Sequence, residues 1–328
     1  MKILIVGAGA VGMVYGRALA LGGCEVTFFA REKYRKDLEW QSKTGFLFYL
    51  WNRKSGGVPA AERWTGFKVC TSLDEVSATN WDFVIIATSS TGLRGEWLEP
   101  FLKSLNPKSL LLTLQPGMHD VEYLSAKFPH ARLVEGTIPI VSYFAPLKTE
   151  QFKEKGIALW TPSGGKVVLG KTSDHSESTS LALDKLKGAF DLGGLKTVLS
   201  REGKKSNLVP GTALNLFIAA LRQSEWSFEK LKQNDNLNIA CEAMNEIIPV
   251  LAKRNGVKVS PLIIQYLLRP WFFKLVIWAS RFIVPFDFET YLELHFTKVG
   301  DQMKQGLLDM IEVAQAEQVP ALKQLASL

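Results

Sequence analysis

Short apolar runs alternate with amphipathic segments over the first half of the chain. The runs are rich in Val, Ile, Leu and Phe, and they occupy residues 3–6, 25–29, 81–87, 109–114 and 132–134. Continuous apolar runs of this length are typical of strands that are buried on both faces of a sheet. Residues 11–21 have helical apolar spacing and end at two glycines, which favour a helix end. This alternation predicts βαβ units and a parallel sheet.

A different pattern interrupts the alternation between residues 45 and 71. The letters GFLFYLWNRKSGG and RWTGFKVC predict a hairpin-like insertion with a Lys-Ser-Gly-Gly turn. Two further short strands flanked by glycine are expected at residues 157–160 and 167–169.

The character of the chain changes near residue 200. Residues 208–221, 236–255 and 302–314 carry helical apolar periodicity. The polar and charged segment 201–205 is the expected link between two domains. We therefore expect an α/β domain over residues 1–200 and a mostly helical domain over residues 201–328.

One apolar stretch in the second half, PWFFKLVIWASRFIVPF over residues 270–286, is interrupted by Lys274 and Arg281. No uncharged run in it reaches the roughly 18 residues that a membrane span needs. We expect a buried helix or the wall of a pocket, with a surface that meets a membrane or a partner as the alternative.

Composition narrows the class of protein. The 328 residues are 47% hydrophobic and 22% charged, as in an ordinary globular protein of about two domains. The net charge is +7, but no basic stripe with interleaved aromatic residues is present, so we expect no nucleic-acid partner. Three distant cysteines suggest neither a zinc site nor a redox dithiol and predict reduced thiols in a cytoplasmic protein. We expect no metal.

The strongest motif is a complete G-x-G-x-x-G at the start of the chain. Its residues follow a predicted strand and open a predicted helix, which is the context of a Rossmann-type dinucleotide site. The first glycine allows the tight turn, the second lets a pyrophosphate approach, and the third allows close packing of helix and strand. The expected cofactor-binding residues are Gly7, Ala8, Gly9, Ala10, Val11 and Gly12. The glycines that punctuate this segment also argue against a signal peptide.

The residue after the second predicted strand indicates which dinucleotide is bound. NAD-selective sites usually place Asp or Glu there to hold the ribose 2′-hydroxyl. Here Ala30 and Arg31 occupy that place. A guanidinium can form paired hydrogen bonds with a 2′-phosphate, so Arg31 predicts NADP. Glu32 is the counter-evidence, because its carboxylate could turn inward.

With these residues placed, the chain resembles the ketopantoate reductase (2-dehydropantoate 2-reductase) family over nearly its whole length. The resemblance rests on MKILIVGAGAVG, Arg31, DFVIIAT, the LQPG turn, EIIPVLAKRNGV and the closing AQAEQVPALKQL. It implies reduction of a 2-keto acid by NADPH, with a lysine near the start of the helical domain as the proton donor. The expected architecture is a Rossmann-type domain followed by a mostly helical domain for substrate binding or dimerisation.

The sequence departs from the family pattern at several functional positions. Ser89 stands where the family has a lysine after the fourth strand, and Pro116 replaces the asparagine of the family's Leu-Gln-Asn-Gly turn. With Asn215 aligned as the last polar residue of the helical motif, Gly211 replaces an asparagine and Asn207 replaces the catalytic lysine. Asparagine donates hydrogen bonds but gives up no proton near neutral pH.

The resemblance and the spacing nominate further residues. The resemblance implies that Ser89 and Asp301 contact the cofactor and that Asn215 contacts the substrate. Weak catalytic candidates are Asn207, Lys205 and His295. His295, Lys298 and Asp301 are spaced to share one face of a helix. Glu242 and Glu246 form a like-charge pair four residues apart. The pair is either an acid site or a pair that is solvated or bound to a base, and both alternatives stay open.

Three hypotheses remain after this reading. The first is an NADP-dependent oxidoreductase that reduces a 2-keto acid or related carbonyl compound other than ketopantoate. The second is a non-catalytic NADP-binding sensor or interaction protein, and the third is an opine-type dehydrogenase. The aromatic residues of the second half favour an apolar small-molecule substrate, and they make a homodimer plausible.

Overall fold

The structure, a computed structural model, describes residues 1–51, 58–171, 174–315 and 318–327. The described residues divide into two compact units. The first comprises Met1–Pro146 and Glu150–Lys204, and the second comprises Leu147–Thr149 and Lys205–Leu328. None of the described helices combines the length and the apolar composition needed to cross a membrane.

A six-stranded parallel sheet forms the centre of the first unit. Its strands are β1 (Lys2–Val6), β2 (Glu25–Phe29), β5 (Lys68–Cys70), β6 (Phe83–Ile86), β7 (Leu110–Thr113) and β8 (Leu133–Glu135). The strand order is β5-β2-β1-β6-β7-β8, so the direction of winding reverses between β1 and β6. In such open sheets, ligands bind outside the carboxyl ends of the strands at this switch point.

Helices cover both faces of the sheet. The helices of this unit are α1 (Ala10–Leu21), α2 (Arg35–Thr44), α3 (Leu73–Ser77), α4 (Ser90–Leu93), α5 (Leu98–Ser104), α6 (Asp120–Ser125) and α7 (Glu177–Leu192). One apolar core lies where α1 and α7 pack, and it includes Tyr15 and Phe190. A second core surrounds Phe101 of α5 on the other side of the sheet. Because β1 and β6 contribute side chains to both cores, their sequences are continuously apolar.

The predicted insertion forms part of a second sheet. Its strands are β3 (Phe46–Trp51), β4 (Ala60–Trp64), β9 (Val141–Ala145) and β10 (Gly156–Trp160), in the order β4-β3-β10-β9. β3 and β4 pair antiparallel, as expected of a hairpin. The expectation for RWTGFKVC is wrong in one respect, because its last residues form β5 and join the large sheet beside β2. The Lys-Ser-Gly-Gly turn lies outside the described residues.

A pair of short parallel strands forms the last part of the first unit along the chain. β11 (Val167–Gly170) pairs with β12 (Thr197–Ser200), and α7 connects them. Gly22, the C-cap of α1, packs against α7 so closely that a Cβ there would lie 2.1 Å from the carbonyl oxygen of Ala189. The glycine that ends α1 is therefore also required by helix packing.

The second unit is helical, as predicted. Its helices are α8 (Leu208–Gln223), α9 (Phe228–Gln233), α10 (Asn236–Asn255), α11 (Pro270–Ile283), α12 (Phe288–Lys298), α13 (Gly300–Ala314) and α14 (Pro320–Ala326), with one π-helical turn at Ile263–Leu267. The expectation of a buried helix over residues 270–286 is wrong. Of the residues of α11, Ile277 and Ser280 are buried, whereas Trp271, Trp278 and Phe282 are more than half exposed.

Candidate functional site

The glycine turn lies at the carboxyl end of β1, beside the switch point of the large sheet. Gly7 has φ +104°, a left-handed conformation that favours glycine, and its N–H donates to the carbonyl of Phe29 at the end of β2. A Cβ at Gly12 would lie 2.1 Å from the carbonyl oxygen of Gly7, so no side chain fits there. The first and third glycines are therefore fixed by the fold of the turn itself.

Gly9 has a different environment. It is the N-cap of α1, its φ is −79°, and a Cβ built there would meet no atom within 4 Å. The space in front of Gly9 and the first turn of α1 is therefore open. Backbone N–H groups at a helix N-terminus attract anions, and this opening suits a phosphate.

Thr88 supplies a second indication of a ligand at the same place. It follows β6, and its methyl carbon lies 3.5 Å from the position that a Cβ at Gly7 would occupy. Its Oγ1 is buried and has no hydrogen-bond partner among the described residues. A buried hydroxyl without a partner is costly. The open space at Gly9 and this hydroxyl together fit a bound dinucleotide.

Arg31 follows β2 and is exposed. Its guanidinium lies 3.0 Å from the Tyr34 hydroxyl and over the ring of Tyr34, and it makes no ion pair within the described parts of the chain. Glu32 does not compete with it for a ribose. The Glu32 carboxylate accepts hydrogen bonds from Thr71 and Arg35, which hold the pKa of that carboxyl below its usual range.

Arg35, by contrast, is already neutralised. It donates to Glu75 over 2.6 Å as well as to Glu32. The hydrogen bond from Arg35, followed by the one from the Thr71 N–H, lowers the pKa of Glu75 to about 2. Arg31 therefore remains available to an anionic ligand at the end of β2, whereas the charge of Arg35 is used within the protein.

The loops after β6 and β7 are fixed to each other by two buried polar side chains. Gln115 donates to the carbonyls of Ile86 and Thr88 over 3.0 and 2.8 Å. Asp120, fully buried, accepts from the Ser90 hydroxyl over 2.6 Å. It also accepts from the N–H of Gly117 and the guanidinium of Arg94. Sequence reasoning missed Asp120, because an acidic residue at the start of a helix resembles a solvated one.

Ser89 and Pro116 lie in these two fixed loops. Ser89 is the N-cap of α4, and its hydroxyl accepts from the N–H of Gly92 over 3.0 Å. At the position where the resemblance implies a lysine, the chain therefore has a capping hydroxyl. Pro116 is exposed between Gln115 and Gly117 and has no N–H to offer.

In the helical unit, Asn207, Gly211 and Asn215 follow one another at intervals of four residues. Asn207 is the exposed N-cap of α8, and its Nδ2 lies 3.5 Å from the position that a Cβ at Gly211 would occupy. Asn215 is half-buried and makes no side-chain hydrogen bond within the described residues. Lys205 belongs to the 3₁₀ turn Gly203–Asn207 and precedes Asn207 by two residues. At three residues per turn, the two side chains are about 240° apart around the axis of the turn.

The structure separates the three residues that were expected to share one helical face. His295 and Lys298 belong to α12, which ends at Lys298, and Asp301 lies in the first turn of α13. The expectation is wrong because the chain leaves the helix at Val299. Burial among Tyr291 and its neighbours, and to a lesser extent the charge of Lys298, lowers the pKa of His295 to about 4. The imidazole is therefore neutral at pH 7.

Asp301 lines a cavity of about 290 Å³ in the helical unit together with three basic side chains. The lining residues are Arg222, Thr297, Lys298, Gly300, Asp301 and Lys304. Arg222 and Lys304 also line an adjoining cavity of about 370 Å³, whose other walls include Trp226, Phe296 and Leu307. The first cavity suits an anion and the second an apolar group. Arg222, which sequence reasoning missed, lies seven residues beyond Asn215 on nearly the same face of α8.

Glu246 has a structural role. Its two carboxylate oxygens accept from the backbone N–H groups of Ala321 and Leu322, at 3.1 Å each, in the first turn of α14. Glu242 is exposed one turn earlier. The pair is therefore not an acid site, because one member binds the end of a helix.

Comparison with known proteins relates this arrangement to one family. The model of the ketopantoate reductase family PanE/ApbA matches residues 3–159. No curated protein matches the chain in sequence.

Solved structures match over almost the whole chain. A 2-dehydropantoate 2-reductase from Geobacter metallireducens GS-15 is 17% identical, with a TM-score of 0.67 over 100% of this chain and 98% of that one. A ternary structure of D-mandelate dehydrogenase with NADH and anilino(oxo)acetate is 16% identical, with a TM-score of 0.69 over 99% and 96%. A dimeric ketopantoate reductase from Staphylococcus aureus is 14% identical, with a TM-score of 0.64 over 100% and 96%. At these identities the likeness establishes the shared fold alone.

Proposed function

Because the chain belongs to the ketopantoate reductase family through residues 3–159, we propose that it is an NADP-dependent oxidoreductase. Its substrate is a 2-keto acid or a related carbonyl compound other than ketopantoate. The observation that carries the proposal is the glycine turn, which is open at Gly9 and lies beside the unpartnered hydroxyl of Thr88. A bound dinucleotide accounts for both features, because its phosphates need the open space and its oxygens can accept from the hydroxyl.

The cofactor is held by backbone and charge in this proposal. The N–H groups of the turn from Gly7 to Gly12 and the N-terminus of α1 bind the pyrophosphate. Arg31 binds the 2′-phosphate, since its charge is not neutralised within the protein and the neighbouring carboxylate of Glu32 is bound to Thr71 and Arg35. When bound, the reduced nicotinamide supplies a hydride. Ser89 and Asp301 are proposed as further cofactor contacts.

The helical unit supplies the substrate side. Asn207 and Asn215 present amide groups from one face of α8, and either can donate a hydrogen bond to a carbonyl oxygen. Arg222 and Lys304 attract the carboxylate of the substrate to the cavity that they line. The adjoining apolar cavity favours a substrate with a hydrocarbon or aromatic body over a small polar one.

The source of the proton is the least conventional part of this chemistry. Asn207 stands at the position of the family lysine but cannot release a proton near neutral pH. His295 is neutral there, because its pKa is about 4. We therefore assign the proton to Lys205 or to a bound water. Lys205→Gln distinguishes the two, because it abolishes turnover only if the ammonium is the acid.

A non-catalytic NADP-binding protein is the second candidate. Two observations favour it: Asn207 stands where the resemblance implies the proton-donating lysine, and Pro116 stands where it implies the asparagine of the turn. This candidate retains every expectation for the cofactor site and predicts no turnover.

The test is a tryptophan-fluorescence titration with NADPH and NADH, followed by a panel of 2-keto acids, with and without amino acids, read at the absorbance of the reduced cofactor. Tight NADPH binding with oxidation by one keto acid supports the reductase. Turnover only with an amine present would indicate an opine-type dehydrogenase. Binding without turnover across the panel favours the non-catalytic candidate.

Arg31→Gln tests the choice of cofactor. It removes charge-assisted hydrogen bonds worth about 1.5–3 kcal/mol, so the Kd for NADPH rises about tenfold to hundredfold while that for NADH changes little. Arg254→Gln, a change at an exposed arginine of α10, is the control. Tighter wild-type binding of NADH than of NADPH would contradict the role of Arg31.

Two coarser expectations also remain proposals. Three free, buried cysteines are consistent with a reducing, cytoplasmic compartment. A homodimer is proposed on the aromatic content of the second half, and light scattering coupled to gel filtration measures it.

A further inference from the structure

Exposed apolar side chains are concentrated in one segment of the helical unit. Of the twenty large apolar side chains that are exposed among the described residues, nine lie between residues 262 and 283. Exposed apolar residues that occur singly need no explanation, but a contiguous group marks an interaction surface.

Helix α11 arranges four of these side chains in a row. They are Trp271, Leu275, Trp278 and Phe282, which are 55%, 49%, 55% and 69% exposed. Their spacing of four, three and four residues places them within about 60° of one another around the helix. We call this row the α11 stripe. It is about 16 Å long at 1.5 Å per residue.

The opposite side of the same helix accounts for its packing. Ile277 and Ser280 are buried, and Phe273 stacks on Phe217 of α8 with ring centroids 5.5 Å apart. Helix α11 is therefore held to the unit by one face, and the α11 stripe is left outward. The stripe is a convex row of side chains and not a groove.

The segment that carries the α11 stripe has charges of one sign, so the expectation that no basic stripe with interleaved aromatic residues is present is wrong for this segment. Between residues 247 and 286 the chain has six basic residues and no Asp or Glu, so this segment of forty residues carries +6 of the net charge of +7. All six are exposed and none makes an ion pair within the described residues. They are Lys253, Arg254, Lys258, Arg269, Lys274 and Arg281. Lys274 and Arg281 lie seven residues apart along one edge of the stripe.

From this combination we infer that the α11 stripe docks the protein on an anionic lipid surface. A helix that presents Trp, Phe and Leu on one face beside basic residues inserts that face at the boundary of headgroups and acyl chains. Basic side chains near an anionic bilayer add attraction, and indole rings favour the interfacial region. The helix lies on the surface and does not cross it.

A second copy of the chain fits the α11 stripe less well. A twofold interface brings the same surface of each copy together. Each copy would contribute a segment with six basic residues and no acidic one, so this segment would bring no carboxylate to the basic edge of its copy. An anionic bilayer supplies both the apolar interior and the opposite charge. The inference does not depend on the reductase activity.

Vesicle cosedimentation of the full chain tests the inference. We expect binding to vesicles of phosphatidylglycerol and phosphatidylcholine, weak binding to phosphatidylcholine alone, and a loss of binding as salt rises. Trp278→Ser with Phe282→Ser should lower the partition coefficient more than about tenfold. Lys274→Gln with Arg281→Gln should lower it about 25-fold, because each basic side chain contributes roughly a factor of five.

Matched variants elsewhere on the surface serve as controls. Trp40→Ser with Leu192→Ser removes apolar side chains of the first unit that are somewhat more exposed than Trp278 and Phe282, and Lys103→Gln with Lys108→Gln removes two exposed charges. These variants should bind vesicles as the wild type does. Circular dichroism verifies that every variant is folded.

The position of the contact can be measured separately. Lipids with brominated chains should quench tryptophan emission, and Trp271→Phe with Trp278→Phe should remove most of that quenching while binding persists. Equal partition onto neutral and anionic vesicles overturns the inference, and so does binding that is unchanged in both Trp278→Ser with Phe282→Ser and Lys274→Gln with Arg281→Gln. The inference is also overturned if the wild type binds no vesicles and forms a dimer that Trp278→Ser with Phe282→Ser converts to a monomer. That result would assign the surface to a second copy of the chain. Binding to an acidic protein without vesicle binding overturns it as well.

Discussion

Replacing Gly9 with alanine should separate cofactor binding from folding at the glycine turn. A methyl group at Gly9 meets no protein atom within 4 Å, and φ of −79° is open to alanine. The change alters an N-cap residue of α1, so we expect the free energy of unfolding to fall by about 1 kcal/mol or less. The methyl group nonetheless enters the space in which the proposed function places the pyrophosphate, at the N-terminus of α1.

The expected loss of affinity follows from the contacts that the methyl group displaces. One or two charge-assisted hydrogen bonds to a phosphate are each worth about 1.5–3 kcal/mol. At about 1.4 kcal/mol for each factor of ten, the Kd for NADPH should rise about tenfold if one weak bond is lost and up to about 10⁴-fold if two strong bonds are lost. Fluorescence titration measures the Kd, and urea unfolding of the same samples measures the free energy of unfolding.

Two other glycines calibrate the result. Gly12→Ala places its Cβ 2.1 Å from the carbonyl oxygen of Gly7, so the backbone must move and we expect a loss of about 3 kcal/mol of stability along with binding. Gly188→Ala, inside α7 with no atom within 4 Å, should leave binding unchanged and stabilise by about 0.5–1 kcal/mol. If Gly9→Ala binds NADPH as tightly as the wild type, the pyrophosphate does not lie at this turn and the reasoning fails.

Three further predictions concern the helical unit. Asn207→Lys places an ammonium at an exposed position and should raise keto-acid turnover at least about tenfold. An unchanged rate with NADPH still bound would argue against proton donation from the start of α8. Glu246→Gln removes the charge that binds the α14 N-terminus and should lower the free energy of unfolding in urea by about 1–2 kcal/mol. Glu242→Gln should lower it by less than about 0.5 kcal/mol. Equal effects of the two changes would refute the capping role. Because folding lowers the pKa of His295 from about 6.5 to about 4, the unfolded chain binds its proton first, so stability should fall by about 2–3 kcal/mol between pH 7 and pH 4. Unfolding curves measured across that range should show that His295→Gln lacks this part of the pH dependence of the free energy of unfolding. An identical pH dependence in the variant would contradict the burial of the ring.

Local patterns in the sequence were sufficient for the fold class and for the cofactor turn. The apolar runs became β1, β2, β6, β7 and β8 because a strand buried on both faces must be apolar at every position. The spacing of Gly7, Gly9 and Gly12 identified the turn because Gly7 and Gly12 meet backbone requirements that hold within a few residues, while Gly9 leaves the space in front of α1 open. The helical periodicity after residue 200 likewise needed no distant contact.

Contacts between distant segments decided what local patterns could not. Whether Glu32 faces a ribose depended on Thr71 and Arg35, and the role of Glu246 depended on the N-terminus of α14, 75 residues away. The break at Val299 separated residues whose spacing alone suggested a shared face. The apolar composition of α11 predicted burial, but hydrophobicity does not state whether the covering surface belongs to the same chain.

The sequence by itself therefore determined the alternation of strands and helices in the first half, the glycine turn and the concentration of positive charge between residues 247 and 286. Each of these depends on backbone geometry or composition over short distances. Only the tertiary structure decided that the space at Gly9 is open, that Thr88 Oγ1 is buried without a partner, and that the α11 stripe is exposed. Exposure and hydrogen bonding are properties of the packed chain, because they depend on which distant atoms occupy the space around a side chain.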